Sequence, residues 1–294
     1  MRDGIRIDGC TRTCGLIGNP VEHTMSPAIH NTLAQALGQN LVYVPFRVLP
    51  GEVREAVEGA RALNLLGCNV TVPYKSEVIP YLKELDPLAE RIGAVNTLVR
   101  TEGGFKGYNT DMPGLLRAFE ADGVKPGGEK VLILGAGGVA RAVAVMLSGL
   151  ASEIIILNRT IERAQKIADE INAYTEGQPV RAMALADWRQ LPWGERYLAV
   201  QATNVGMYPR VQEAVMEDPD FYRRIHTGYD LIFNPARTRF MQMTEAAGGR
   251  AYNGLKMLLY QGIIAYELWT GAAVTGELEE KAYDAMKHAM GIGD

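Results

Sequence analysis

Two kinds of residue able to do chemistry lie between Gly107 and Gly138. Val131-Leu-Ile-Leu-Gly-Ala-Gly-Gly138 is an apolar run ending in glycines, with Gly135, Gly137 and Ala140 spaced as G-x-G-x-x-A where a helix should begin. In that pattern the first glycine makes a tight turn and the second lets the backbone approach a pyrophosphate. The N–H groups and dipole of the following helix then meet its negative charge. Glycines in a bare strand-to-helix turn would look similar, but here a strand precedes and a βα unit follows. The second kind is Gly107-Tyr-Asn-Thr-Asp111, which delivers Asn109 and Asp111 at the end of a short strand.

The residues after the next strand bear on which dinucleotide is held. An acidic residue there would bind the ribose 2′-hydroxyl of NAD, and an arginine the 2′-phosphate of NADP. This chain has Asn158-Arg159-Thr160, with no carboxylate before Glu162. A carboxylate would repel a phosphate, whereas Arg159 can pair with it through two hydrogen bonds. NADP is the expected cofactor. The competing reading makes Arg159 a solvated surface charge and Thr160 a helix N-cap, and Thr160 can serve both as cap and as phosphate ligand.

Further polar clusters lie upstream. Gly18 to Asn31 is a loop leading into a helix, in which Ser26-Pro27 reads as N-cap then N1. The Thr24 hydroxyl has no such structural duty. In Gly67-Cys-Asn-Val-Thr-Val-Pro-Tyr-Lys75, alternation puts Asn69 and Thr71 on one face of a strand, opposite Val70 and Val72. Polar groups on a buried strand need partners, and a ligand can supply them. Lys75 follows the strand's carboxyl end, where open α/β sheets bind ligands, although a lone lysine is more often a solvated charge. Asn96 repeats the theme of a polar group at a strand end.

These groups need elements to position them. Gly15–Gly18, Leu41–Phe46, Cys68–Val72 and Ala94–Val99 read as strands, interleaved with amphipathic segments at Pro27–Leu37, Glu52–Leu63 and near Ala89. That rhythm predicts an α/β layer with mostly parallel strands. Thr101 to Phe105 reads as a hairpin-type turn. After the Gly/Pro-rich break Asp122–Gly128, strands at Val131–Leu134, Glu153–Leu157, Tyr197–Ala202 and Tyr229–Ile232 are expected. The expected helices are Gly138–Leu150, Thr160–Asn172 and Arg237–Ala247. Two final helices, Leu255–Thr270 and Glu277–Met290, have no strand after them and suit a chain returning to the first domain.

The fold class is therefore α/β with two domains: an N-terminal α/β substrate domain over residues 1–110, completed by 254–294, and a Rossmann-type dinucleotide domain over 111–253. A catalytic cleft between them is expected, with Gly254 able to absorb a closing motion.

A length of 294 residues fits two domains, and 47% hydrophobic with 22% charged residues is ordinary globular composition. The formal charge of -4 and the absence of a Lys/Arg run argue against nucleic acid or an anionic membrane as partner. No apolar run is long enough for a membrane span, and Met1–Gly9 lacks a signal peptide's apolar region. Three cysteines read as reduced thiols of a cytoplasmic protein. Cys10 and Cys14 are close, but no further Cys or His pair completes a metal site, so no metal is expected.

Together these motifs, with Ala202-Thr-Asn-Val-Gly-Met207, Tyr229-Asp-Leu-Ile-Phe-Asn-Pro235 and Gly254-Leu-Lys-Met-Leu-Leu-Tyr-Gln261, resemble the shikimate dehydrogenase family over essentially the whole chain. The resemblance implies reversible, NADP-dependent reduction of 3-dehydroshikimate in aromatic amino-acid biosynthesis, by a monomer or homodimer. It makes Lys75 and Asp111 the catalytic pair, and assigns Thr24, Ser26, Asn69, Thr71, Asn96, Phe233 and Gln261 to the substrate. It assigns Gly135, Ala136, Gly137, Gly138, Val139, Asn158, Arg159, Thr160, Arg163 and Thr203 to the cofactor, with Leu231 and Gly254 near the nicotinamide. Thr24 stands where the family usually has serine and Phe233 where it has tyrosine. Either exchange could widen use toward quinate, so a dual quinate/shikimate dehydrogenase with relaxed cofactor use is the alternative. Regulators that resemble the family and only sense its ligands would be expected to lack Lys75 or Asp111; both are present.

Overall fold

The structure, a computed structural model, describes residues 7–177 and 179–292. The chain divides into two compact units, Met1–Gly114 with Leu259–Asp294, and Leu115–Leu258. The divisions fall a few residues inside helices, at Gly114 and Leu258, whereas the sequence suggested 110 and 253.

The first unit is built on a six-stranded sheet. Its strands are β1 (Arg12–Gly18), β2 (Leu41–Arg47), β3 (Gly67–Val70), β4 (Glu84–Leu85), β5 (Thr97–Thr101) and β6 (Gly104–Tyr108), ordered β2-β1-β3-β5-β6-β4. β1 pairs in parallel with β2 and β3, but β5 runs antiparallel to both β3 and β6. The layer is thus mixed, because the two-residue turn Glu102-Gly103, with Gly103 at φ 80°, reverses the chain directly. Helix α2 (Val53–Ala62) buries Val53, Val57 and Ala60 along one stripe against Cys68, Val70, Leu98 and Phe105. A second apolar cluster holds His30 of α1 (Ser26–Ala36), stacked on Tyr43 at 4.2 Å and tilted against Trp269 at 5.1 Å. Trp269 belongs to α9 (Leu255–Thr270) and donates its indole N–H to Leu98 O at 2.8 Å. That approach needs Gly67, whose missing Cβ would overlap the Trp269 ring nitrogen.

The second unit holds a wholly parallel sheet of β7 (Lys130–Leu134), β8 (Glu153–Asn158), β9 (Val180–Ala184), β10 (Tyr197–Gln201), β11 (Ile225–Asp230) and β12 (Arg250–Tyr252). The order β12-β11-β10-β7-β8-β9 is the doubly wound Rossmann order, with the first and fourth strands of the unit adjacent at its centre. Their runs Val131–Leu134 and Tyr197–Val200 are buried throughout, as strands covered on both faces must be. Helices α5 (Gly138–Leu147), α6 (Ile161–Asn172), α7 (Pro219–Tyr222) and α8 (Arg239–Ala246) belong to this unit. In the first unit, α3 (Pro87–Ile92) is capped by Asp86 through Leu88 N–H, and α10 (Glu277–Ala289) packs on α1. Helix α4 (Asp111–Ala121) begins in the first unit and ends in the second.

Several expected boundaries move. β3 stops at Val70, leaving Thr71 and Val72 beyond the strand; β5 starts only at Thr97; β11 ends at Asp230, so Leu231 and Ile232 lie in a loop. The sequence missed β4, β9, β12 and α7. These are short, and β4, β9 and β12 are edge strands that bury too little to need a continuous apolar run.

Candidate active site

Lys75 lies in the turn after β3, where its carbonyl accepts the Val95 N–H at 2.7 Å. Asp111 is the first residue of α4, a position where the helix dipole favours a carboxylate. Asn109 sets that helix start, accepting Met112 N–H at 3.3 Å and donating to Ala94 O at 3.0 Å. Lys75 Nζ donates to Asp111 Oδ2 at 2.6 Å, a charge-assisted bond. With side chains 32% and 20% exposed, both groups are sheltered yet reachable.

Behind this pair runs a buried polar network. Asn96 Oδ1 accepts the Thr110 N–H at 2.7 Å, and its Nδ2 donates to Thr110 Oγ1 at 3.0 Å. Thr97 Oγ1 lies 3.1 Å from both Asn96 Oδ1 and Thr110 Oγ1. Asn69 Nδ2 donates to Thr97 Oγ1 and Asn96 O, while its Oδ1 accepts the Tyr43 hydroxyl at 2.8 Å. Asn69 therefore finds the partners that a buried polar group needs within the protein itself. Thr71 sits past the strand end, its methyl against Gly18. Sequence reasoning missed Tyr43, Thr97 and Thr110; the two threonines flank motif residues Asn96 and Asp111, a signal that could have found them.

The loop before α1 departs from expectation. The helix starts at Ser26 with Met25 as N-cap, and no side chain caps it. The Ser26 hydroxyl instead accepts from Thr24 Oγ1 at 3.2 Å, so both remain together as a polar pair. Gln261 lies on α9 where Gly114 of α4 packs on its backbone; a Cβ on Gly114 would stand 2.7 Å from Gln261 N.

In the second unit, Gly135 adopts φ +111° directly after β7, and a Cβ there would meet Thr203 Cγ2 at 2.6 Å. Gly137 caps α5 with no side-chain bond, and space is open where Cβ atoms on Gly137 and Gly138 would project. Ala136 is half-buried and Val139 exposed. This bare cradle of N–H groups at the carboxyl end of a central strand fits a pyrophosphate. Asn158 Nδ2 donates to Thr160 O at 2.8 Å and shapes the turn after β8. Thr160 does occupy the N-cap of α6, but its side chain makes no capping bond there. Arg159 and Arg163 are exposed and form no ion pair among the described residues. Gly254 N–H donates to Ile232 O at 2.9 Å, and its missing Cβ would overlap the Leu231 carbonyl oxygen. Leu231 and Phe233 are half-buried in the loop after β11. Of the substrate residues expected, Phe233 alone belongs to the second unit; the other eight positions, Lys75 and Asp111 included, belong to the first.

Family models describe three stretches of the chain: residues 16–98 match the shikimate dehydrogenase substrate binding domain, 121–189 the shikimate / quinate 5-dehydrogenase, and 254–274 the shikimate 5'-dehydrogenase C-terminal domain. A shikimate dehydrogenase (NADP(+)) of Desulforamulus reducens is 45% identical over 277 residues, covering 90% of this chain and 92% of the relative. The structure of shikimate 5-dehydrogenase from Listeria monocytogenes in complex with shikimate and NAD superposes with TM-score 0.87 at 34% identity, over 97% of this chain and 98% of that one. That from Thermus thermophilus in complex with NADP(H) and shikimate gives 0.82 at 33% identity, over 95% and 100%.

Proposed function

Since the chain belongs to the shikimate dehydrogenase family, we propose that it interconverts shikimate and 3-dehydroshikimate with NADP, a step of aromatic amino-acid biosynthesis. The observation that carries this reading is the Lys75–Asp111 contact at 2.6 Å, which joins an ammonium and a carboxylate distant in sequence.

Bound NADP would supply the nicotinamide that exchanges hydride with the substrate carbon. Gly135 to Val139 would hold its pyrophosphate, Arg159, Thr160 and Arg163 its 2′-phosphate, and Thr203, Leu231 and Gly254 the nicotinamide side. As an alcohol becomes a ketone its hydroxyl proton must leave, and the Lys75–Asp111 pair takes it. In reverse, the Lys75 ammonium stabilises negative charge growing on the carbonyl oxygen and returns the proton. Asp111 holds the ammonium through Oδ2 and keeps Oδ1 to accept a substrate hydroxyl. Thr24 and Ser26 offer paired hydroxyls for the ring substituents or carboxylate, joined by Thr71 and Gln261. Asn69 Nδ2 gives both its N–H groups to the network and reaches substrate only by sharing them, whereas Asn96 Nδ2 gives one to Thr110 Oγ1 and has the other to offer. Free Cys10, Cys14 and Cys68 accord with a cytoplasmic enzyme, working as monomer or homodimer.

The test is a panel of shikimate and quinate, each with NADP and NAD, followed by nicotinamide absorbance. Shikimate with NADP should give the highest kcat/KM. Comparable turnover of quinate would move the reading to the dual enzyme, and ligand binding without any turnover would reject catalysis.

A further inference from the structure

A buried polar clamp joins the carboxyl ends of β10 and β11, and nothing in the reaction above uses it. Asp230 ends β11 and Gln201 ends β10; both are 0% exposed. Asp230 Oδ1 accepts the Ile232 N–H at 3.0 Å and Gln201 Nε2 at 3.3 Å, while Oδ2 accepts the Thr238 hydroxyl at 2.6 Å. Gln201 Oε1 accepts the Thr203 N–H at 2.6 Å, its Nε2 also donates to Val205 O at 3.1 Å, and its backbone carbonyl accepts the Leu231 N–H at 3.1 Å. Among the described residues no Lys or Arg pairs with Asp230.

A carboxyl buried without a counter-cation is costly, and a packed apolar side chain would be cheaper. What this one does is fix two loops at once. One loop carries Thr203, whose methyl rests on Gly135; the other carries Leu231, whose carbonyl rests on Gly254. The first loop leaves β10, which adjoins the switch point where doubly wound folds bind their ligand, and the second leaves the next strand, β11.

We propose that Asp230 is a positioning residue for the nicotinamide half of the cofactor, acting through Gln201 on Thr203 and directly on the Leu231–Ile232 backbone. This rests on the cofactor reading given above. It separates the two halves of the dinucleotide: the adenosine half meets Arg159, Thr160 and Arg163, which the clamp does not hold, whereas the nicotinamide half meets the two loops that it does.

The experiment compares binding of NADP with that of adenosine 2′,5′-bisphosphate, which has the adenosine half only, by titration calorimetry on the full chain. Asp230→Leu keeps a similar volume but removes the acceptor of both Gln201 Nε2 and the Ile232 N–H. It should weaken NADP about tenfold, as expected where a buried hydrogen bond is lost, and leave the bisphosphate unchanged. Gln201→Met, which frees Thr203 by a separate route, should give the same split and carries the test if the first variant does not fold. Equal losses for both ligands would mean a general softening of the unit and overturn the proposal, as would unchanged NADP binding. Wild-type protein that binds NADP but is inert on shikimate would sink the substrate reading alone; protein binding neither ligand would sink the cofactor reading and this inference with it.

Discussion

Lys75 Nζ and Asp111 Oδ2, 36 positions apart in the chain, stand 2.6 Å from one another. The turn after β3 and the first residue of α4 bring them together, and each is braced by backbone bonds of its own neighbourhood. If the pair moves the substrate proton, Lys75→Ala should lower kcat by about 10²–10⁴-fold. The KM for shikimate should change far less. Steady-state kinetics on the purified variant checks this, and full retained turnover would refute the pair.

Arg159 is exposed and without an ion-pair partner among the described residues, beside the Asn158–Thr160 turn. Its guanidinium is then available to a 2′-phosphate. Arg159→Ala should raise the KM for NADP by about tenfold, the worth of a partly solvated charge-assisted contact. The KM for NAD should stay nearly constant. Equal changes for the two cofactors would reject the assignment.

His30 is wholly buried among aromatic rings, and neither ring nitrogen reaches a hydrogen-bond partner. Burial pushes its pKa down to about 3, with the Asn69 side chain opposing only in part. The native state then binds fewer protons than the unfolded chain below the ordinary value of 6.5. Stability from this group is present above that value and is lost as pH falls toward 3, by an amount of the order of 5 kcal/mol. His30→Leu should flatten the loss of urea-unfolding free energy across that window. An unchanged acid slope would show that the imidazole is not its source.

Asp230 gives the opposite sign. Burial raises its carboxyl to about 7, against the pull of the Thr238 hydroxyl and Ile232 N–H. Between the ordinary 3.8 and about 7 the native state holds a proton that the unfolded chain has released. Its contribution to stability is therefore complete below 3.8 and disappears as pH rises through 7. Asp230→Asn should gain melting temperature relative to the parent as pH is raised over that range; a constant difference would contradict the raised carboxyl.

Gly67 gives way to the Trp269 indole, which donates to Leu98 O. Gly67→Ala would overpack that contact and strand the indole N–H, at a combined cost of about 3 kcal/mol. Denaturant unfolding measures it, and a loss below about 0.5 kcal/mol would mean that the ring moves freely aside.

The local signals in the chain were enough to give the α/β class, the glycine turn after β7 and the position of most helices, because period and capping are properties of neighbouring residues. The motifs of Asn69, Lys75, Asn96 and Asp111 could be read as a family likeness, but not as a geometry. Only the tertiary structure decided that Lys75 meets Asp111, that Asn69 is satisfied by Tyr43 and Thr97, and that the Ser26 hydroxyl pairs with Thr24 instead of capping α1. It also decided that β5 turns antiparallel and that Asp230 reaches Gln201. Each of these depends on which strand lies beside which and on what a buried polar atom can reach once the sheet is formed. Partners far apart in the chain carry no shared period, so the pairing is settled by packing and by the cost of leaving a donor unmet.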